Sequence, residues 1–203
     1  MILDPSDLSV KDNYKLLIGS VLPRPIALVS TMSKSGIANL APFSFFTAIT
    51  SKPPTVCFAP ALKGSEGIKK DTLANIEETG EFVVNVVSEE IAEQMNETAG
   101  DFPPEIDEFA HADFTPKPSR IVHVPRVQES PINMECRLYK IVYIGDAKPG
   151  SGALVIGEIV CYHIADELFS AGKIDTGKLK PVGRLAGMEY TTLGNRFTLE
   201  RKK

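Results

Sequence analysis

Apolar residues in this chain fall in short runs punctuated by Gly, Pro, Asp and Lys, a spacing that predicts strands joined by turns rather than long helices. Pro25-Ile26-Ala27-Leu28-Val29 opens a strand after Arg24, until Ser30 and Thr31 interrupt its apolar character. Lys34-Ser35-Gly36 is a turn, and the chain returns through residues 37–45 as a second strand that runs on to Lys52. Lys52-Pro53-Pro54 separates these from a third, Thr55-Val56-Cys57-Phe58-Ala59. Residues 81–87 read as a further strand. The longest pair, residues 132–144 and 153–164, forms a hairpin around Asp146-Ala147-Lys148-Pro149-Gly150-Ser151-Gly152. Short helices are predicted between them: one capped by Ser9 and ended by Gly19, one capped by Asp71 and ended by Gly80, and one capped by Ser88 that stops near Gly100. Residues 101–118, rich in Pro, Asp, Glu and Phe with weak periodicity, predict a long excursion over the surface or over a partner subunit.

This order of elements predicts a mainly β fold with peripheral helices, a barrel or sandwich rather than a doubly wound parallel sheet. With 203 residues and 43% hydrophobic content, the chain can bury one full core, so residues 1–203 are expected to form a single domain. No GxGxxG follows a strand, and neither a Walker loop nor an internal repeat is present.

A net charge of −4 excludes the basic excess of a typical nucleic-acid binder. No apolar run reaches the length of a membrane span, and the N-terminal residues lack the layout of a signal peptide, so a cytoplasmic, soluble protein is expected. Cys57, Cys136 and Cys161 are widely spaced in strand-like segments without a CxxC pair, which favours buried free thiols. His111, His123 and His163 lack ligand spacing such as HxxxH or HxH, so no metal site is expected. His111 and His163 are the candidates for proton transfer near neutral pH.

Two segments concentrate chemistry. Ser30, Thr31, Asn39 and Ser44, with small Ala41 and the neighbouring Phe43, Phe45 and Phe46, can line a wall for a flat polar heterocycle and its hydroxylated tail. The same residues can equally satisfy their own backbone in turns or sit on a solvated face. Lys69-Lys70-Asp71-Thr72 opens a helix, where main-chain N–H groups, lysine charge and a hydroxyl suit a phosphate; an ordinary cap with solvated lysines is the alternative.

Read in order, these motifs resemble the flavin reductase-like family of FMN-binding split-barrel proteins, which includes flavoredoxin and the reductase components of two-component monooxygenases. The resemblance runs through Pro23-Arg24-Pro25-Ile26-Ala27-Leu28-Val29-Ser30-Thr31, Asn39-Leu40-Ala41-Pro42-Phe43-Ser44-Phe45-Phe46, Lys70-Asp71-Thr72-Leu73-Ala74-Asn75-Ile76 and Glu81-Phe82-Val83-Val84-Asn85. It closes with Ile174-Asp175 and Arg184-Leu185-Ala186-Gly187-Met188-Glu189-Tyr190, where Ala186-Gly187 stands in place of the family's two glycines.

The resemblance implies a Greek-key split β-barrel that assembles as a homodimer with one FMN per subunit. It implies that Ser30, Thr31, Asn39, Ala41, Pro42 and Ser44 lie along the isoalloxazine and ribityl chain, with Lys70, Asp71 and Thr72 near the phosphate. Glu108-Phe109-Ala110-His111-Ala112 stands where relatives show an acidic residue, a lysine and a phenylalanine, so His111 joins the cofactor-binding candidates. The implied activity is an NAD(P)H-dependent flavin reductase, with NADH or NADPH as reductant, no catalytic side chain, and a monooxygenase or electron-transfer protein as a possible partner. The alternative is a flavoredoxin-like electron carrier serving protein partners.

Overall fold

A computed structural model describes residues 1–62 and 68–200. Helix α1 (Val10–Ser20) begins where Ser9 Oγ accepts the Asp12 N–H at 3.1 Å. Gly19 lies inside its last turn, and the helix ends at Val21 rather than at the glycine. Next come β1 (Arg24–Pro25), β2 (Ala27–Met32), β3 (Ala38–Phe43), β4 (Phe46–Ser51) and β5 (Pro54–Phe58). The expected single strand after the turn is therefore two, broken at Ser44-Phe45. Helix α2 (Asp71–Thr79) leads through Gly80, whose φ of 71° suits a residue without a Cβ, into β6 (Glu81–Val86). Its N-cap is Lys70, whose side chain makes no capping hydrogen bond, so Asp71 is the first helical residue and not the cap. Ser88 likewise makes no capping bond; a 3₁₀ turn follows it before α3 (Ala92–Glu97).

Residues 101–118 hold α4 (Glu108–His111) and the short β7 (Pro116–Lys117), which pairs with β8 (Arg126–Val127). The long hairpin is β9 (Ile132–Ile144) and β10 (Gly152–Ile164). The chain ends with β11 (Phe169–Ser170), β12 (Lys173–Ile174), α5 (Thr176–Leu179), β13 (Gly183–Arg184) and β14 (Tyr190–Thr191). β1, β13 and β14 make a small sheet of their own, so the closing motif pairs with Arg24.

The main sheet has seven antiparallel strands in the order β3-β2-β6-β9-β10-β5-β4. Its two edge strands, β3 and β4, are consecutive and joined only by Ser44 and Phe45. Laid flat, seven strands would hold these edges about 29 Å apart, whereas the link from Phe43 to Phe46 reaches about 11 Å at full stretch. The sheet must therefore curl until its edges meet, which gives the split β-barrel.

The barrel interior is filled by Phe43, Phe58 and Phe82, with ring centroids 4.9 and 5.6 Å apart along the row. Gly157 makes room for this row, since a Cβ there would lie 2.2 Å from Phe82. A second core covers the outer face of β2 and β3 with Met95, Phe109, Ala112 and Phe114. The excursion is therefore anchored by its own apolar residues. β2 lies between the two cores, which is why nearly all of it is buried and its sequence shows no alternation. Among the described residues, no helix is long and apolar enough to cross a membrane.

Candidate functional site

Ser30 and Thr31 are adjacent on β2 and so project to opposite faces. Thr31 pairs with Asn39 of β3, and its Oγ1 accepts from Asn39 Nδ2 at 3.3 Å and from Asn75 Nδ2 at 3.1 Å. The second Asn39 amide hydrogen goes to Thr72 Oγ1 at 3.0 Å. Both Asn39 donors are thus committed inward, while its Oδ1 and the Thr72 hydroxyl hydrogen have no partner among the described residues. The network locks the first turn of α2 against the barrel edge and leaves Asn39 Oδ1 and the Thr72 hydroxyl hydrogen, both at the cleft, for something else.

Ser30 is spent differently. Its Oγ donates to the Pro125 carbonyl at 2.6 Å and accepts from Asn85 Nδ2 at 3.3 Å, on the far face of the strand. It lies outside the cleft that the other candidates line.

That cleft is lined by Asn39, Ala41, Pro42, Lys70, Asp71, Thr72, Phe102 and Glu108. Through Pro42 it continues into a cavity of about 190 Å³ bordered by Arg24, Ser44, Arg184 and Tyr190. Arg24 and Ser44 in turn border an apolar depression of about 500 Å³ formed by Leu17, Val21, Phe45, Phe46 and Cys57. The three make one groove along the seam where the barrel edges meet. One end is polar, with the uncapped first turn of α2; the other is apolar.

Seven of the ten sequence candidates line this groove: Asn39, Ala41, Pro42, Ser44, Lys70, Asp71 and Thr72. Thr31 stands behind Asn39, and Ser30 is on the opposite face. His111 packs on Phe102 with ring centroids 4.5 Å apart, one residue removed from the lining.

Other groups belong to the groove and were not singled out by sequence. Arg24 is buried and donates to the carbonyls of Ile18, Val21 and Leu185, each at 2.8 Å, and to Ser44 Oγ at 3.4 Å. Burial depresses its pKa, Tyr14 opposes this, and the nearby Arg184 charge adds to it. Arg184 donates to the Tyr190 hydroxyl and, at 2.5 Å, to the Gly187 carbonyl. Its guanidinium stands 4.4 Å from the Tyr190 ring centroid.

Glu108 is buried beside this polar end. Its Oε2 accepts the Leu40 N–H at 3.1 Å, a donor that edge strand β3 would otherwise leave unpaired. Burial raises its pKa, as do the charges of Asp71 and Asp107, against the pull of the main-chain hydrogen bonds. Cys57 has its pKa raised by burial and is held as a thiol. Within the described groove, donors and acceptors are arranged to hold a ligand, with no activated nucleophile.

A family model for the flavin reductase like domain matches residues 18–180. The chain belongs to the flavin reductase-like family. Within it, the chain is similar to nitrilotriacetate monooxygenase component B from Bacillus cereus, at 40% identity over 98% of each chain with a TM-score of 0.94. It is also similar to Pseudomonas fluorescens 2-nitrobenzoate 2-nitroreductase, at 36% identity over 100% of this chain and 96% of the other, with a TM-score of 0.89. An uncharacterized protein of Halalkalibacterium halodurans shares 47% identity over 99% of this chain and 96% of its own. Membership in a flavin reductase-like family makes an oxidoreductase role the coarse reading of the groove.

Proposed function

We propose that the groove binds FMN and that the chain is an NAD(P)H-dependent flavin reductase acting as a single-domain subunit of a cytoplasmic homodimer. The observation that carries this reading is the polar-to-apolar gradient along the seam. Lys70, Thr72 and the first-turn N–H groups of α2 suit a phosphate. Asn39 Oδ1, unpaired among the described residues, suits a ribityl hydroxyl. Ser44 and Phe45 border the widest part and Pro42 the cavity beside it, a span that suits an isoalloxazine ring. Together the three parts reach the volume usual for small-molecule sites, roughly 300–1,000 Å³.

Bound there, the flavin supplies the hydride and electron chemistry. The chain's own residues bind and orient. Arg24 fixes the seam by tying α1, Ser44 and the closing motif together. Exposed Leu17, Val21 and Phe45 leave the apolar end open on one side, which a second subunit would cover. The similarity to a monooxygenase component B supports a monooxygenase as the downstream partner.

The test is an anaerobic spectral titration of the purified protein with NADH and NADPH. Bleaching of bound FMN at catalytic rates supports the reductase. Bleaching only by dithionite or a reduced protein partner would make the chain an electron carrier of the flavoredoxin kind. Loss of all visible absorption after incubation with FMN and gel filtration would remove the flavin assignment itself.

A further inference from the structure

Glu135, Cys161 and His163 form a chemically potent cluster away from the groove. Cys161 pairs directly with Glu135 across β9 and β10, and His163, two residues further along, shares their face. A register shift between Ile159 and Cys161 re-aims these side chains at the end of the hairpin. A Cys-x-His pair on a strand thus achieves what HxxxH achieves on a helix. One donor atom from each residue lies within 4.8 Å of the others. His163 Nε2 is 2.5 Å from Glu135 Oε1 and 3.8 Å from Cys161 Sγ.

We propose that Glu135, Cys161 and His163 form a three-ligand site for a thiophilic divalent cation of the zinc type, with a fourth position open to the adjoining pocket. Thiolate, imidazole and carboxylate together select such an ion over the hard, oxygen-seeking magnesium or calcium.

Metal-bound cysteine is a thiolate, so on loading Cys161 releases its thiol proton to solvent, while His163 offers an unprotonated ring nitrogen and Glu135 a carboxylate oxygen. Nε2 and Oε1 then move apart to admit bonds of about 2.0–2.2 Å each.

His163 also borders a pocket of about 450 Å³ lined by Lys117, Arg126, Gln128, Asn133 and Tyr162. Its lining carries two cationic side chains and no carboxylate. The fourth position suits water or a small anionic ligand.

The test is a cobalt titration of chelator-treated full-length protein. One equivalent should give thiolate-to-cobalt charge transfer in the near ultraviolet and d–d bands to the red of any flavin absorption, both erased by zinc. Cys161→Ser should abolish the charge transfer and weaken zinc by more than the ~10–100-fold that a supporting group commands. FMN retention should be unchanged in that variant. In the unaltered protein, stoichiometric zinc should protect Cys161 from alkylation, read by mass spectrometry, which needs no substitution. Absence of charge transfer at stoichiometric cobalt, the same band in Cys161→Ser, or unprotected alkylation would each overturn the site.

Discussion

Two polar networks flank strand β2, and they differ in what they leave unspent. On the side of β6 and β9, Asn85 donates to the Leu28 carbonyl at 2.9 Å and to Ser30 Oγ at 3.3 Å. Its Oδ1 accepts from Val127 N and Asn133 Nδ2, both at 2.9 Å. Every strong group of that side chain is used. On the side of β3 and α2, Thr31, Asn39, Thr72 and Asn75 are hydrogen-bonded to one another, yet the groups left unpaired among the described residues include the Asn39 amide oxygen and the Thr72 hydroxyl hydrogen. The carboxylates differ as well. Glu135 accepts main-chain N–H groups at both oxygens and meets His163 at Oε1, whereas Glu108, at the cleft, accepts the Leu40 N–H at Oε2. A saturated network holds a fold together; an unsaturated one beside a cleft is where a ligand completes the hydrogen bonding.

The contrast breaks most sharply at Asn85. Asn85→Ala strips partners from the Val127 N–H and the Leu28 carbonyl, so unfolding free energy in urea should fall by roughly 2–6 kcal/mol at ~1–3 kcal/mol per orphaned group. FMN affinity of the folded fraction should be unchanged. The reverse signature is expected for Lys70→Ala with Thr72→Ala. Charged hydrogen bonds are worth about 1.5–3 kcal/mol, so each substitution should weaken FMN roughly 10- to 100-fold. Equal losses for FMN and riboflavin would place the phosphate elsewhere.

The two carboxylates separate by pH. Glu135 has a folded pKa of about 2, below its usual 4.5, so its contribution is full above 4.5 and is lost as pH falls toward 2. Glu135→Gln should erase that acid limb of the stability curve and cost about 3 kcal/mol at neutral pH, at ~1.4 kcal/mol per pKa unit. Glu108 runs the other way. Its folded pKa is raised, so the folded state holds a proton that the unfolded state has released, and stability falls as pH rises upward from 4.5. Glu108→Gln should flatten that decline, the smallest of these effects, measured by thermal melts from pH 4 to 7 in steps of about half a unit.

The strands were legible because Pro, Gly and apolar runs mark them locally, and the long hairpin was read almost to its ends. The break at Ser44-Phe45 was not, because a single serine between phenylalanines is a weak turn signal; the chain bends there because the sheet closes. The site was legible where one segment carries it: Asn39 to Ser44, and Lys70 to Thr72. The shift of the N-cap from Asp71 to Lys70 is a one-residue boundary that only the cap geometry decides. Alternation says that Ser30 and Thr31 face opposite ways, but with β2 covered on both sides it cannot say which face meets the cleft. Arg24 and Glu108 belong to the site through the Leu185 carbonyl, Ser44 and the edge N–H of Leu40, all supplied by distant segments, so their role arises in tertiary structure.

The seam between β3 and β4 carries a mechanical consequence. A barrel that closes through two residues has its weakest circumference along that line, since no ladder of main-chain hydrogen bonds joins those two strands to each other. A ligand lying from Asn39 to Phe46 touches both lips of the opening, so whatever free energy it gains in binding also opposes their parting. Cargo seated there acts as a rivet.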